Sequence, residues 1–166
     1  MKFLIVVIFI FFNLTSFAYP NNIVYIDMNY ILSNSDHGKS ILIELENINK
    51  KNIKELESKE KILKDLETKI TNQKNILSKE DLEKKINDLK NKIVVFNRDK
   101  DKLSGEFNKL KNNKISDFMK NVEPLVSNYI KENSINIVLD KKIVIIGKKD
   151  HDITLEILEI VNKNIK

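Results

Sequence analysis

The sequence predicts an α+β protein. A small β body, built from N- and C-terminal strands, carries a long α-helical, coiled-coil hairpin arm. Three observations point there. Apolar residues recur every seven positions through the middle of the chain. That repeat changes phase once, about halfway along. Two β-rich runs flank the repeat at opposite ends: "IVYI", and "INIVLDKKIVIIG" from Ile135 to Gly147, which reads as two strands around a tight turn. Composition agrees with long uninterrupted elements: 166 residues contain only 3 Gly and 2 Pro, so there are few places for the chain to turn. There is no Cys, which excludes disulfides and cysteine-ligated metals.

The opening "MKFLIVVIFIFFNLTSFAYP" has the layout of a secretory signal peptide over residues 1–18. Lys2 precedes an unbroken apolar run from Phe3 to Phe12, and Ser16 and Ala18 stand at minus three and minus one of a cut after Ala18. A membrane anchor would need roughly 20 apolar residues, and Asn13, Thr15 and Ser16 interrupt this run early. The mature chain, from Tyr19, carries a net charge of +4 and is expected to be exported to the periplasm.

Ile23 to Ile26 reads as a short strand ended by Asp27. The polar stretch "SNSDHGKS" follows, with Ser35 or Asp36 placed to cap a helix starting near Gly38. The first heptad row is Leu42, Asn49, Leu56, Leu63, Ile70, Leu77; a new row begins at Leu82 and continues through Leu89, Phe96, Leu103 and Leu110. The break between them holds Ser78 and Asp81, a capping-box-like start.

A phase break alone fits either a stutter in one rod or the tip of a hairpin. The chain ends decide between them. A lone strand or hairpin is not stable in water, and a straight rod would hold the two β-rich runs more than about 100 Å apart. The helix must therefore fold back, with its tip near residues 75–79. The body then comprises residues 19–39 and 133–166, and the arm residues 40–132. The return register brings Ile70 near Leu89, Leu63 near Phe96 and Leu56 near Leu103. It also sets Lys59 level with Lys100, a like-charge mismatch that predicts compliant arms, as does Gly105 inside the return helix. Pro124 is expected to break or kink that helix near Glu123. The last segment predicts a short helix capped by Asp152 or Thr154, with Ile153, Ile157, Leu158 and Val161 facing inward. A body of roughly 55 residues is small for a stable core, so oligomerisation through it is expected.

The chain resembles the Skp/OmpH family of periplasmic chaperones. The matching pieces are the signal peptide, "IVYIDMNYILSNSDHGKS", a heptad hairpin with "DLEKKI" after its tip, and "INIVLDKKIVIIGKKDHDITLEILEIV". This resemblance implies a trimeric, jellyfish-like assembly whose helical arms enclose a cavity. It implies an ATP-independent holdase that binds unfolded outer-membrane proteins and prevents their aggregation. The arms suit that role. From Lys39 to Glu132 there are 22 basic and 17 acidic residues, a net of +5, which would draw acidic clients over a Debye length of about 8 Å. Apolar residues off the seam are the expected client contacts: Ile62, Ile76, Val94, Val95 and Ile115. Arg98, Lys100 and Lys102 form a basic group that would suit lipopolysaccharide or an anionic membrane surface.

No cofactor, metal or enzymatic chemistry is expected. "HGKS" lacks the upstream glycine and core strand of a phosphate loop. The acids near His37 and His151 are explained by caps and turns, and the arm carboxylates stand among lysines without a pocket for acid–base work. Nucleic-acid binding is undercut by the export signal and 24 acidic residues. The competing function is a periplasmic coiled-coil spacer or adaptor bridging parts of the cell envelope.

Overall fold

A computed structural model describes residues 22–165. The signal segment expected at residues 1–18 lies outside the described residues.

Strand β1 (Ile23–Ile26) alternates as a half-buried strand should, with Val24 and Ile26 facing the core. It pairs in parallel with β2 (Ile137–Asp140), Ile23 level with Ile137 and Ile26 level with Asp140. Parallel neighbours require a crossover. Here the whole helical arm is that crossover, leaving from the end of β1 and returning to the start of β2.

Asp27 stops β1 by turning the chain into helix α1 (Met28–Asn34): its carboxylate accepts from Tyr30 N–H at 2.9 Å. This helix is absent from the sequence reading, which placed the first helix near Gly38. Its Ile31 and Leu32 are buried in the core. Only Ser35 separates it from α2 (Asp36–Gln73). The buried Ser35 hydroxyl caps α2 by accepting from Gly38 N–H. The two helices approach closely here, since a Cβ on Gly38 would collide with the carbonyl oxygen of Leu32. Gly38 is therefore required by packing.

Helices α2 and α3 (Lys79–Glu132) form the hairpin, joined by residues 74–78. Ser78 caps α3, accepting from Asp81 N–H at 3.1 Å and donating to the Asp81 carboxylate at 2.6 Å. α3 does not break at Pro124; it continues through that position over its 54 residues. Neighbours on both sides hold it: Val122 is fully buried, and Leu125 and Val126 pack on the core. Their burial offsets the roughly 3 kcal/mol that an interior proline costs. α3 ends with Ser134 at a φ of 51° and Ile135 N–H bonded back to Ile130 O at 3.0 Å, so the buried Ile135 staples the exit.

The expected two-strand hairpin over Ile135 to Gly147 does not form. Only β2 is a strand; Lys141–Ile143 turns as a 3₁₀ segment and residues 144–148 are irregular. Two polar contacts explain the turn. The Asp140 carboxylate accepts from Lys142 N–H, and Lys141 Nζ reaches Asp152 at 2.7 Å. They draw the chain across β1, where Asp152 bridges Tyr25 on the edge opposite β2. Ile143, Ile145 and Ile146 are left pointing into solvent, 69%, 96% and 92% exposed.

Helix α4 (Thr154–Asn164) closes the body, with Ile157 and Val161 fully buried and Leu158 partly so. Neither Asp152 nor Thr154 serves as its N-cap. That position is Ile153, which makes no side-chain cap bond. Instead Thr154 Oγ1 accepts from Asp27 N–H at 2.9 Å and donates to Asp152, tying α4 to the start of α1. Burial pulls the Asp152 carboxyl upward, but the bonds from Lys141 and Thr154 outweigh it and hold the group below the usual carboxylate range. The core thus draws on both chain ends and on the body-proximal turns of α2 and α3, through Ile41, Leu45, Phe118 and Val122.

Candidate functional site: the surface of the arm

Between Glu46 and Asp117 no side chain is buried. What holds the arm is a ladder of partly buried residues on the seam, including Leu56, Leu63, Ile70, Leu89, Phe96 and Leu103. Their pairing follows the expected fold-back: Leu63 and Phe96 line one groove, Ile70 and Leu89 another, Leu56 and Leu103 a third.

One rung differs from expectation. Lys59 does not face Lys100. It bonds to Asp99 across the seam at 3.1 Å and to Glu55 on its own helix at 2.9 Å. The two acids raise the lysine's pKa, fixing its charge. A second cross-seam pair, Lys114 with Glu44 at 2.6 Å, stands closer to the body. The like-charge clash read from the sequence is thus an ion pair, because the facing helix meets Lys59 one position earlier than a level register assumes.

The structure places the five expected contact residues in three settings. Ile62 and Val95, both exposed, come together on one shallow groove of about 190 Å³ between the helices. Val94 is exposed beside it. Ile76 projects from the tip turn at 84% exposure, far from the others. Ile115 packs against the edge of the body core, so most of its surface is already used. Arg98, Lys100 and Lys102 are all exposed on α3. Lys102 turns to Glu106 at 3.9 Å, while Lys100 lines a groove of about 230 Å³ with Asn52 and Leu103.

Two features were missed by the sequence reading. Lys69, Lys85 and Lys92 rim a groove of about 280 Å³ near the tip, over an apolar floor of Leu66, Ile70 and Leu89. Their spacing of seven between Lys85 and Lys92 could have revealed the shared face. At the junction of arm and body, Met28, Met119, Val126 and Ile130 line a larger groove of about 540 Å³. Met28 reaches it only because α1 folds as it does, and α1 had not been read.

The two histidines have structural partners. His37 stacks on Phe118 with centroids 6.3 Å apart, and His151 Nδ1 lies 2.6 Å from Ile23 O. Among the described residues there is no group of three or more His, Cys, Asp or Glu that could hold a metal ion. No described helix is long and apolar enough to cross a membrane.

A small α+β body bearing one long helical hairpin in which no side chain from Glu46 to Asp117 is buried defines a class of body-and-arm scaffolds. Comparison with known proteins gives that class a family. The family model described as "Outer membrane protein (OmpH-like)" matches residues 22–161, and the chain belongs to the OmpH-like family. Its fold is similar to a crystal structure from Caulobacter crescentus CB15, provisionally described as an outer membrane chaperone (OmpH-like). The TM-score is 0.78 at 16% identity, over 87% of this chain and 86% of that one. A comparison with curated proteins finds no match.

Proposed function

We propose that this chain is a periplasmic, ATP-independent holdase that shelters unfolded outer-membrane proteins between the arms of a homotrimer. The observation that carries the reading is the arm itself: a hairpin with no buried residue from Glu46 to Asp117, bearing exposed Ile62, Val94 and Val95 and a net positive charge. Such a surface offers many weak apolar contacts without committing to one shape. That suits clients whose alternating apolar strands otherwise pair edge to edge. Family membership and the fold of the Caulobacter protein support the same role.

Self-association is supported by the body. Ile143, Ile145 and Ile146 are apolar, close in sequence and exposed, and the outer edge of β2 is unpaired among the described residues. A second copy laid against this region would cover both. Contact of Arg98, Lys100 and Lys102 with anionic lipid belongs to the same proposal, as a secondary anchor partway along the arm.

The test is light scattering. A urea-unfolded outer-membrane barrel is diluted into buffer containing residues 19–166 and no nucleotide. Suppressed aggregation that saturates near three protomers per client and weakens with salt is the expected result. Unchanged aggregation beside a folded oligomer would overturn the holdase reading and favour an envelope spacer.

A further inference from the structure

The two grooves near the tip share a wall. Lys92 lines the one holding Ile62, Val95 and Phe96, and also the one holding Leu66, Ile70 and Leu89. They are therefore consecutive stretches of one trough on one side of the hairpin. Along α2 the trough runs from Lys59 to Gln73, about 21 Å at ~1.5 Å per residue. An extended strand covers that length in about six residues, and alternate side chains would point to the floor.

The charges on the rim are unequally engaged. At the body end, Lys59 is held by Glu55 and Asp99. Toward the tip, Lys69, Lys85 and Lys92 form no ion pair among the described residues, nor does Asp88, which faces the same space. Three free ammonium groups against one carboxylate leave this half of the trough positive, over a floor that is apolar.

We infer that the trough is a selective seat for an extended client segment of about six residues, in which apolar side chains alternate with carboxylates. The apolar side chains of the segment enter the floor at Ile62, Leu66 and Ile70, and its carboxylates meet Lys69, Lys85 and Lys92 on the rim. Asp88 sets the discrimination: it repels a segment with too many acids and would attract a basic one only at a single point. This rests on the holdase reading for its class of client. It adds that clients are sorted by the charge between their apolar residues, and that sorting occurs at the tip half of the arm.

The chain has no cysteine, so single introduced thiols report position cleanly. The full 19–166 chain would carry a benzophenone at Gln73→Cys, inside the trough, or at Lys90→Cys, an exposed site at similar height that lines neither groove. The probes are two fluorescent octapeptides alternating Val and Tyr with Glu, or with Gln in place of Glu. The Glu peptide is expected to cross-link at position 73 in preference to position 90. It should bind roughly threefold tighter than the Gln peptide at low salt, as exposed charge pairs allow. Lys85→Gln with Lys92→Gln should erase that preference, while Lys109→Gln with Lys111→Gln, exposed arm lysines that line neither groove, should keep it. Equal cross-linking at both positions, or a preference that survives the Lys85 and Lys92 changes, would overturn the trough while leaving aggregation suppression intact. Selective capture at position 73 by a protein that suppresses no aggregation would keep the trough and overturn the holdase reading.

Discussion

The body and the arm are built from the same residue types yet solve opposite problems. The body gathers Val24, Ile31, Phe118, Ile157 and Val161 into a closed core, and its buried polar groups are all paired. The arm stretches for some seventy residues with nothing buried, held by a half-covered ladder and two cross-seam ion pairs. Uniqueness therefore resides in the body, where each side chain has one place to be. In the arm, close packing is traded for open surface.

Substitutions can break this contrast or sharpen it. Phe118→Ala should have the largest effect. It empties the middle of the body and should cost about 3–5 kcal/mol in a denaturant titration. Phe96→Ala in the arm should cost well under half as much, because that site is only partly buried and solvent can fill it. Equal losses would show that body and arm share one cooperative core.

Next comes the Asp152 latch. Its carboxyl is depressed in the folded body, so its contribution is present above the ordinary carboxylate pKa and is lost as pH falls through the lower folded value. Thermal stability should therefore drop below about pH 4. Asp152→Asn should lower it by about 1 kcal/mol at pH 7 and flatten that acid slope. A slope unchanged by the substitution would assign the acid sensitivity to other groups.

The smallest effect should come from Gly105→Ala. Nothing lies within 4 Å of where its Cβ would stand, so the helix gains propensity without a clash, up to about 1 kcal/mol. Hydrogen exchange should slow around residues 100–110 and remain unchanged in the body. Slower exchange in both would mean that arm and body open together.

The arm was legible in the sequence because its information is local. A seven-residue repeat, one phase break and the Ser78 cap specify two helices and their return. The half-register detail was not legible: whether Lys59 meets Lys100 or Asp99 depends on how the two helices are staggered, and a residue count does not carry that. In the body the failures have a common cause. α1 is held by Thr154, 127 residues away from Asp27, so a local reading of "MNYILSN" shows only a short apolar run. "IVIIG" has strong β propensity, but within one protomer Lys141 is drawn to Asp152 and no strand among the described residues pairs with it. Of the arm surface, the sequence marked Ile62 and Val95 separately. Only the fold shows that they share a groove with Lys92.

The parallel register of β1 with β2 has a consequence for synthesis order. β1 emerges first, but its partner begins at Ile137, and the α4 residues that cover it come later still. A chain synthesised from its N-terminus cannot close the body until nearly all of it has emerged. The helices of the arm can wind early, since their bonds are local, but they stay unanchored. The protein thus remains pliable while it is being made, and locks only when its last thirty residues arrive.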